Sequence, residues 1–187
     1  MAFSTWNIDP AHAGVNFSAR HMMIMTVRGQ FKSVNGVIHF DPENIANSSV
    51  EATIDAASIE TGVADRDNHL RSADFLDAAN YPTLTFKSTK VEPTGNGKAK
   101  ITGDLTIRGV TRSVVLDAEH LGVMKNPWGA TVAVFNATTT INREDWGLTW
   151  NVAIEAGGVL VGKDITINID VEAQPAPVAE AAANAQA

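Results

Sequence analysis

The sequence predicts an all-β protein, an extended antiparallel barrel of about eight strands with one short helical insertion. Three observations predict it. Apolar and polar residues alternate with a period of two almost continuously from Trp6 to Val171. One charged stretch, DRDNHLRSADFL from Asp65 to Leu76, breaks that pattern. Clusters of Gly, Asn, Asp and Pro punctuate the remainder, as tight connections between strands require. A sheet of this length in one domain has to curl or split, and closure gives a barrel able to enclose a ligand.

Trp6, Ile8, Val15, Phe17 and Ala19 share one face of two short strands, with DPAHAG as the turn of an opening hairpin. Val27 to Phe31 and Gly36 to Phe40 form a second pair, joined at Asn35-Gly36, whose small residues suit a tight turn. DPENIANSS is a loop, after which Val50, Ala52 and Ile54 alternate with polar partners. In the charged stretch, acidic residues come early and Arg71 late, and Leu70, Ala73 and Leu76 fall on one stripe of a helix of one or two turns. Pro82 marks the return to extended structure.

Leu84, Phe86, Ser88 and then Lys90 or Val91 give the next strand, with PTGNGK as its turn. Ile101, Gly103, Leu105 and Ile107 then share a face opposite Thr102, Asp104, Thr106 and Arg108. SVVLDAEHL follows the Arg108-Gly109 break, NPWG at Asn126 to Gly129 ends a further connection, and Thr131 to Ile141 is rich in strand formers. The last strand, Lys163 to Val171, places Ile165, Ile167, Ile169 and Val171 on one face. The barrel domain thus occupies residues 1–173. Residues 174–187, QPAPVAEAAANAQA, offer little anchoring area, and a disordered Ala/Pro-rich tail is expected.

Length and composition narrow the function. A chain of 187 residues without a composition break before the tail is one domain with one substantial core. Its net charge of -7, with no basic run, argues against nucleic acid as a partner. The absence of cysteine excludes disulfides, thiolate catalysis and Cys-ligated metal centres. The opening segment lacks the basic leader and apolar core of a signal peptide, and no apolar run is long enough to span a bilayer. A cytoplasmic protein without stable membrane insertion is therefore expected.

No GxSxG elbow, P-loop, HExxH or dinucleotide-binding glycine pattern occurs. No metal or cofactor is expected, and the five histidines are scattered. HMMIM at His21 to Met25 is the most suggestive apolar segment, because methionines conform to irregular ligands as readily as to irregular cores. In a lipid-binding reading, Arg20 and His21 meet a headgroup at the mouth while Phe17, Met22 and Met23 line an apolar channel. Asp67, His69 and Arg71 could serve acid–base chemistry or brace the insertion; an i, i+2 spacing does not share a helix face, which favours bracing. In INREDWGLTW, Trp146 and Trp150 can pack the barrel rim or a bound chain.

Several ordered segments, WNIDPAHAGVNFSARHMMIMTVRGQF, DRDNHLRSADFLDAANYPTLTF, GDLTIRGVTRSVVL, INREDWGLTW and VGKDITINIDV, together resemble the YceI-like family of lipocalin-like proteins. The resemblance covers essentially residues 5 to 172. It implies a lipocalin-like barrel whose elongated apolar interior holds a polyisoprenoid, an isoprenoid quinone or another long apolar chain. It also implies that the HLRSADF segment helps to cover the barrel, and makes a homodimer plausible. No catalytic mechanism follows from it. The candidate ligand contacts are Phe17, Arg20, His21, Met22, Met23, Met25, His69, Leu70, Phe75, Phe135, Trp146 and Trp150. Sequestration or transport is the leading function. An enzyme acting on a bound lipid or small molecule would need Asp67 and His69 to converge with another polar group inside the cavity, and an interaction module would carry a filled barrel.

Overall fold

Burial follows the alternating sequence, and the alternation builds ten strands and one helix in the computed structural model, which describes residues 4–177. The elements are β1 (Ser4–His21), β2 (Met25–Phe31), β3 (Val34–Phe40), β4 (Ser49–Asp55), β5 (Ile59–Glu60), α1 (Ala64–Arg71), β6 (Thr83–Gly95), β7 (Lys98–Ile107), β8 (Val110–Lys125), β9 (Thr131–Asn142) and β10 (Val161–Pro175). The circuit β10-β9-β8-β7-β6-β4-β3-β1 is closed by a β10–β1 pairing, so it has eight staves. The ten segments fit eight staves because two staves are bent. Residues 4–7 of β1 pair with β3 and residues 15–21 with β2, so β2 and β3 follow one another along the same edge. β4 and β5 do likewise against β3 and β2. The two bends brace each other: the Ser33 amide donates to Ser58 Oγ at 3.1 Å, and the Asp55 amide to the Ser33 carbonyl at 3.0 Å.

The opening hairpin expected around DPAHAG is instead one strand. β1 keeps β10 as its partner on both sides of that segment, with a register shift between Ile8 and Ala13. The turn chemistry there is satisfied locally: the Asp9 carboxylate accepts from the Ala11 amide and pairs with His12, each at 3.0 Å. That arrangement makes a bulge rather than a reversal. Asn35-Gly36 is likewise no turn. Gly36 lies within β3 opposite Ala52, where a Cβ would stand 2.4 Å from the Glu51 carbonyl oxygen. Its small size serves close strand approach. The reversal between β1 and β2 falls on HMMIM, closed by the His21–Met25 pair, with Met22 and Met23 at φ 49° and 65°.

The later strands follow the sequence closely. A bulge between Ser88 and Lys90 moves the inward phase of β6 to Val91, and Asn96-Gly97 makes the turn into β7. Gln174 and Pro175, assigned to the tail, pair with Asn7 and Trp6 as the end of β10. The tail beyond residue 177 lies outside the described residues. α1 ends at Arg71, so Ala73 and Leu76 are not on the helix; they lie in the turns that follow it, where Phe75 and Leu76 are buried. The main core runs along the barrel from Phe75 and Trp146 to Leu116. A second cluster of Trp6, Ile8, Ile38, Phe40, Ala133, Val171 and Ala173 packs the end away from α1.

Candidate ligand cavity

Inward side chains of every stave surround a cavity of about 380 Å³, within the range of small-molecule sites. Its middle is apolar: Phe17, Phe31, Leu84, Phe86, Leu105, Leu116, Ile141 and Ile167 stand on the wall. Polar groups gather at the two ends. Arg20, His21, Arg66, His69 and Arg143 lie at the end carrying α1, and Ser48, Glu119, His120 and Asn136 at the other.

Seven of the twelve candidate residues stand on this wall: Phe17, Arg20, His21, His69, Leu70, Phe75 and Phe135. The other five stand elsewhere. Met22, Met23 and Met25 are 47%, 61% and 64% exposed on the β1–β2 turn, because the chain reverses there instead of continuing along the wall. Trp146 is buried behind the wall, where its indole N–H donates to the Leu105 carbonyl at 3.0 Å. Trp150 packs edge-on against the His69 ring at 4.5 Å and beside Phe75 at 5.4 Å, so it backs the wall that those two residues form.

Charged groups at the α1 end are largely engaged with the protein itself. Arg20 reaches across the β1–β2 turn to the Ile24 carbonyl and Thr26 Oγ1, both at 3.1 Å. Arg66 donates to Thr61 Oγ1 at 2.7 Å, and His69 Nε2 pairs with Asp74 at 2.8 Å. Asp67 is buried and accepts from the amide and hydroxyl of Thr61. Arg71 donates to the carbonyls of Ala57 and Ile59 at 2.8 and 2.7 Å. The DxHxR group therefore braces the insertion, and Asp67 and His69 face separate partners. Among the described residues, no group of three or more His, Cys, Asp or Glu is placed to hold a metal ion.

Arg143 and His120 are among the cavity residues that the candidate set lacked, and both continue the inward phase of a strand. Arg143 follows Ile141 in the inward phase and is 4% exposed; its guanidinium donates to the carbonyls of Leu148, Gly162 and Val161 and lies 5.9 Å from the Phe75 ring centre. Burial pulls its pKa down, with Glu144 opposing. His120 continues the inward series Val114, Leu116, Ala118. Its ring packs against Phe40 and Phe135, at 4.7 and 5.0 Å between centres, and those two rings also meet, at 5.7 Å. Burial pushes its pKa below the usual value, with a hydrogen bond to the Gly122 backbone opposing.

The YceI-like domain model matches residues 6–173. A UPF0312 protein of Vibrio cholerae is 44% identical over 138 residues, covering 74% of this chain and 73% of its own. One from Ectopseudomonas mendocina is 46% identical over 138 residues, covering 74% and 72%. Among solved structures, Burkholderia cenocepacia BcnA superposes with a TM-score of 0.74 at 28% identity, covering 88% of this chain and 98% of its own. The Campylobacter jejuni YceI protein gives 0.72 at 39% identity, covering 84% and 90%. A polyisoprenoid binding domain from Saccharophagus degradans shares the fold, with a TM-score of 0.66 at 13% identity over 94% of this chain and all of that one. Motif order, barrel topology and these matches agree: the chain belongs to the YceI-like family.

Proposed function

We propose that this protein binds and sequesters, or carries, a long apolar chain inside the barrel, a polyisoprenoid or an isoprenoid quinone, without chemical change. The observation that carries this reading is an apolar cavity reached by side chains of all eight staves, with its charged residues toward the two ends. Each Å² of apolar ligand surface removed from water contributes about 25 cal/mol, offset in part by the ordering of a flexible chain. The shared fold of a domain described as polyisoprenoid binding supports the same ligand class. A homodimer belongs to this proposal, supported by the exposed Leu121, Val123, Met124 and Trp128 on the β8–β9 hairpin; sedimentation equilibrium tests it. So does residence in the cytoplasm, tested by cell fractionation.

The test is native mass spectrometry of the purified protein, with organic extraction and identification of what it retains. A stoichiometric isoprenoid or quinone is the expected result. Protein that is empty and takes up no member of a graded series of prenyl lipids overturns the reading.

A further inference from the structure

The cavity is apolar along most of its length, and a plain hydrocarbon would satisfy that part of it. One atom asks for more. Nε2 of His120 is buried without a hydrogen-bond partner, and among the described residues it is the one buried side-chain nitrogen or oxygen in that state. Buried polar groups are paired in native proteins unless something outside the chain completes them. The ring packs against Phe40 and Phe135, at the end of the cavity that also carries Ser48, Glu119 and Asn136.

The position is built into the strand. Ala118 and His120 continue the inward phase of β8, and the register shift between His120 and Gly122 ends that phase immediately afterwards. The His120 amide is bound to the Gly97 carbonyl at 2.9 Å, which ties the backbone to the β6–β7 turn. Phe40 and Phe135, themselves 5.7 Å apart between centres, pack with the imidazole as a three-ring cluster. Backbone and ring are thus both fixed, as a selective contact requires.

We propose that His120 Nε2 is the polar anchor of the cavity and accepts a hydrogen bond from a hydroxyl group on the bound chain, so that the preferred cargo is an isoprenoid alcohol or phenol. This rests on the binding function proposed above and narrows its ligand class. The tautomer supplies the chemistry. In this anchor the ring proton is assigned to Nδ1, which leaves Nε2, without a protein partner, as the acceptor. A neutral imidazole with its proton on Nδ1 presents a lone pair at Nε2. Burial favours that neutral form. A lone pair discriminates by what it lacks: a quinone carbonyl and a fully ionised phosphate are acceptors too, and neither completes it. A prenol, a phenol or the reduced quinol does. At the opposite end, by contrast, Arg66, His69 and Arg143 already have protein partners.

The experiment compares geranylgeraniol with its methyl ether, two ligands that share a chain and differ in one donor. Wild type is expected to bind the alcohol about two- to tenfold more tightly, the range of one net hydrogen bond. His120→Phe is expected to bind both with the affinity that wild type shows for the ether. Imidazole ¹⁵N spectra of the folded wild type give a readout that does not depend on any variant folding: the alcohol should move the His120 Nε2 resonance in the direction of an accepted hydrogen bond, and the ether should leave it in place. Equal affinities in wild type, or a resonance unmoved by the alcohol, overturns the anchor while leaving the binding function standing. Failure of wild type to bind either ligand overturns the binding function itself and the anchor with it.

Discussion

The indole N–H of Trp146 and the carbonyl of Leu105 meet at 3.0 Å inside the core, joining the turn after β9 to the wall strand β7. Trp146 is 2% exposed, so truncation removes both a large buried ring and a hydrogen bond. Trp146→Ala should lose about 3–5 kcal/mol of stability. Trp146→Phe keeps most of the ring but loses the indole donor, and should lose about 0.5–1.5 kcal/mol. Urea unfolding of the two variants measures both values.

His120 links stability to pH. Its folded pKa lies below the ordinary 6.5, so the unfolded chain takes up a proton that the folded chain resists. Stability is therefore whole above pH 6.5 and declines as pH falls toward the depressed folded value. His12 acts in the opposite sense: its hydrogen bond to Asp9 raises its pKa, and that contribution is present below 6.5 and lost as pH rises. Comparing wild type with His120→Phe cancels His12. Between about pH 8 and about pH 5 the variant should lose less stability than wild type, read from urea midpoints.

The β1–β2 turn is built at a conformational cost. Met22 at φ 49° occupies the left-handed region that Gly and Asn enter most easily. It is about half exposed and stands off the cavity wall. Met22→Asn should raise stability by about 0.5–1 kcal/mol, measured by thermal denaturation, with ligand uptake unchanged.

Ala118 and Ala137 face each other across β8 and β9 on the cavity wall, leaving room where the neighbouring positions carry larger side chains. Ala118→Phe should fill that room and shorten the longest prenol retained. Native mass spectra across a graded chain-length series read this out. An unchanged cutoff would mean that the bound chain does not pass this point.

The strands from β6 to β10 were legible in the sequence because each alternates cleanly, and because Asn96-Gly97 and Arg108-Gly109 are true turns in which both residues take positive φ. The first half of the barrel was less legible because local turn chemistry pointed elsewhere. Asp9 satisfies its neighbours' polar groups inside a bulge, Gly36 is small to let strands approach, and the real reversal uses methionines, which carry no turn signal. The site divides in the same way. Phe17 and Phe135 follow from strand phase, whereas the methionines read as channel residues occupy a hairpin tip. Nothing local marked Trp146 as core rather than rim, since its partner Leu105 is distant in sequence. His120 was in phase with Leu116 and could have been singled out on that ground alone.

The pairing of β1 with β10, in which Val15 faces Ile169, joins the first strand of the barrel to the last. During synthesis β1 emerges early, and its second edge waits for β10. Until then the sheet is open, with unpaired edges on β1 and β9 and its apolar face exposed. Closing so long a loop comes late and is slow, because its entropy is spent before the seam forms. The compartment therefore exists only once β10 has paired with β1. On the proposed function, cargo enters only after β10 has closed the seam, and until then the edges of β1 and β9 stay open to pairing.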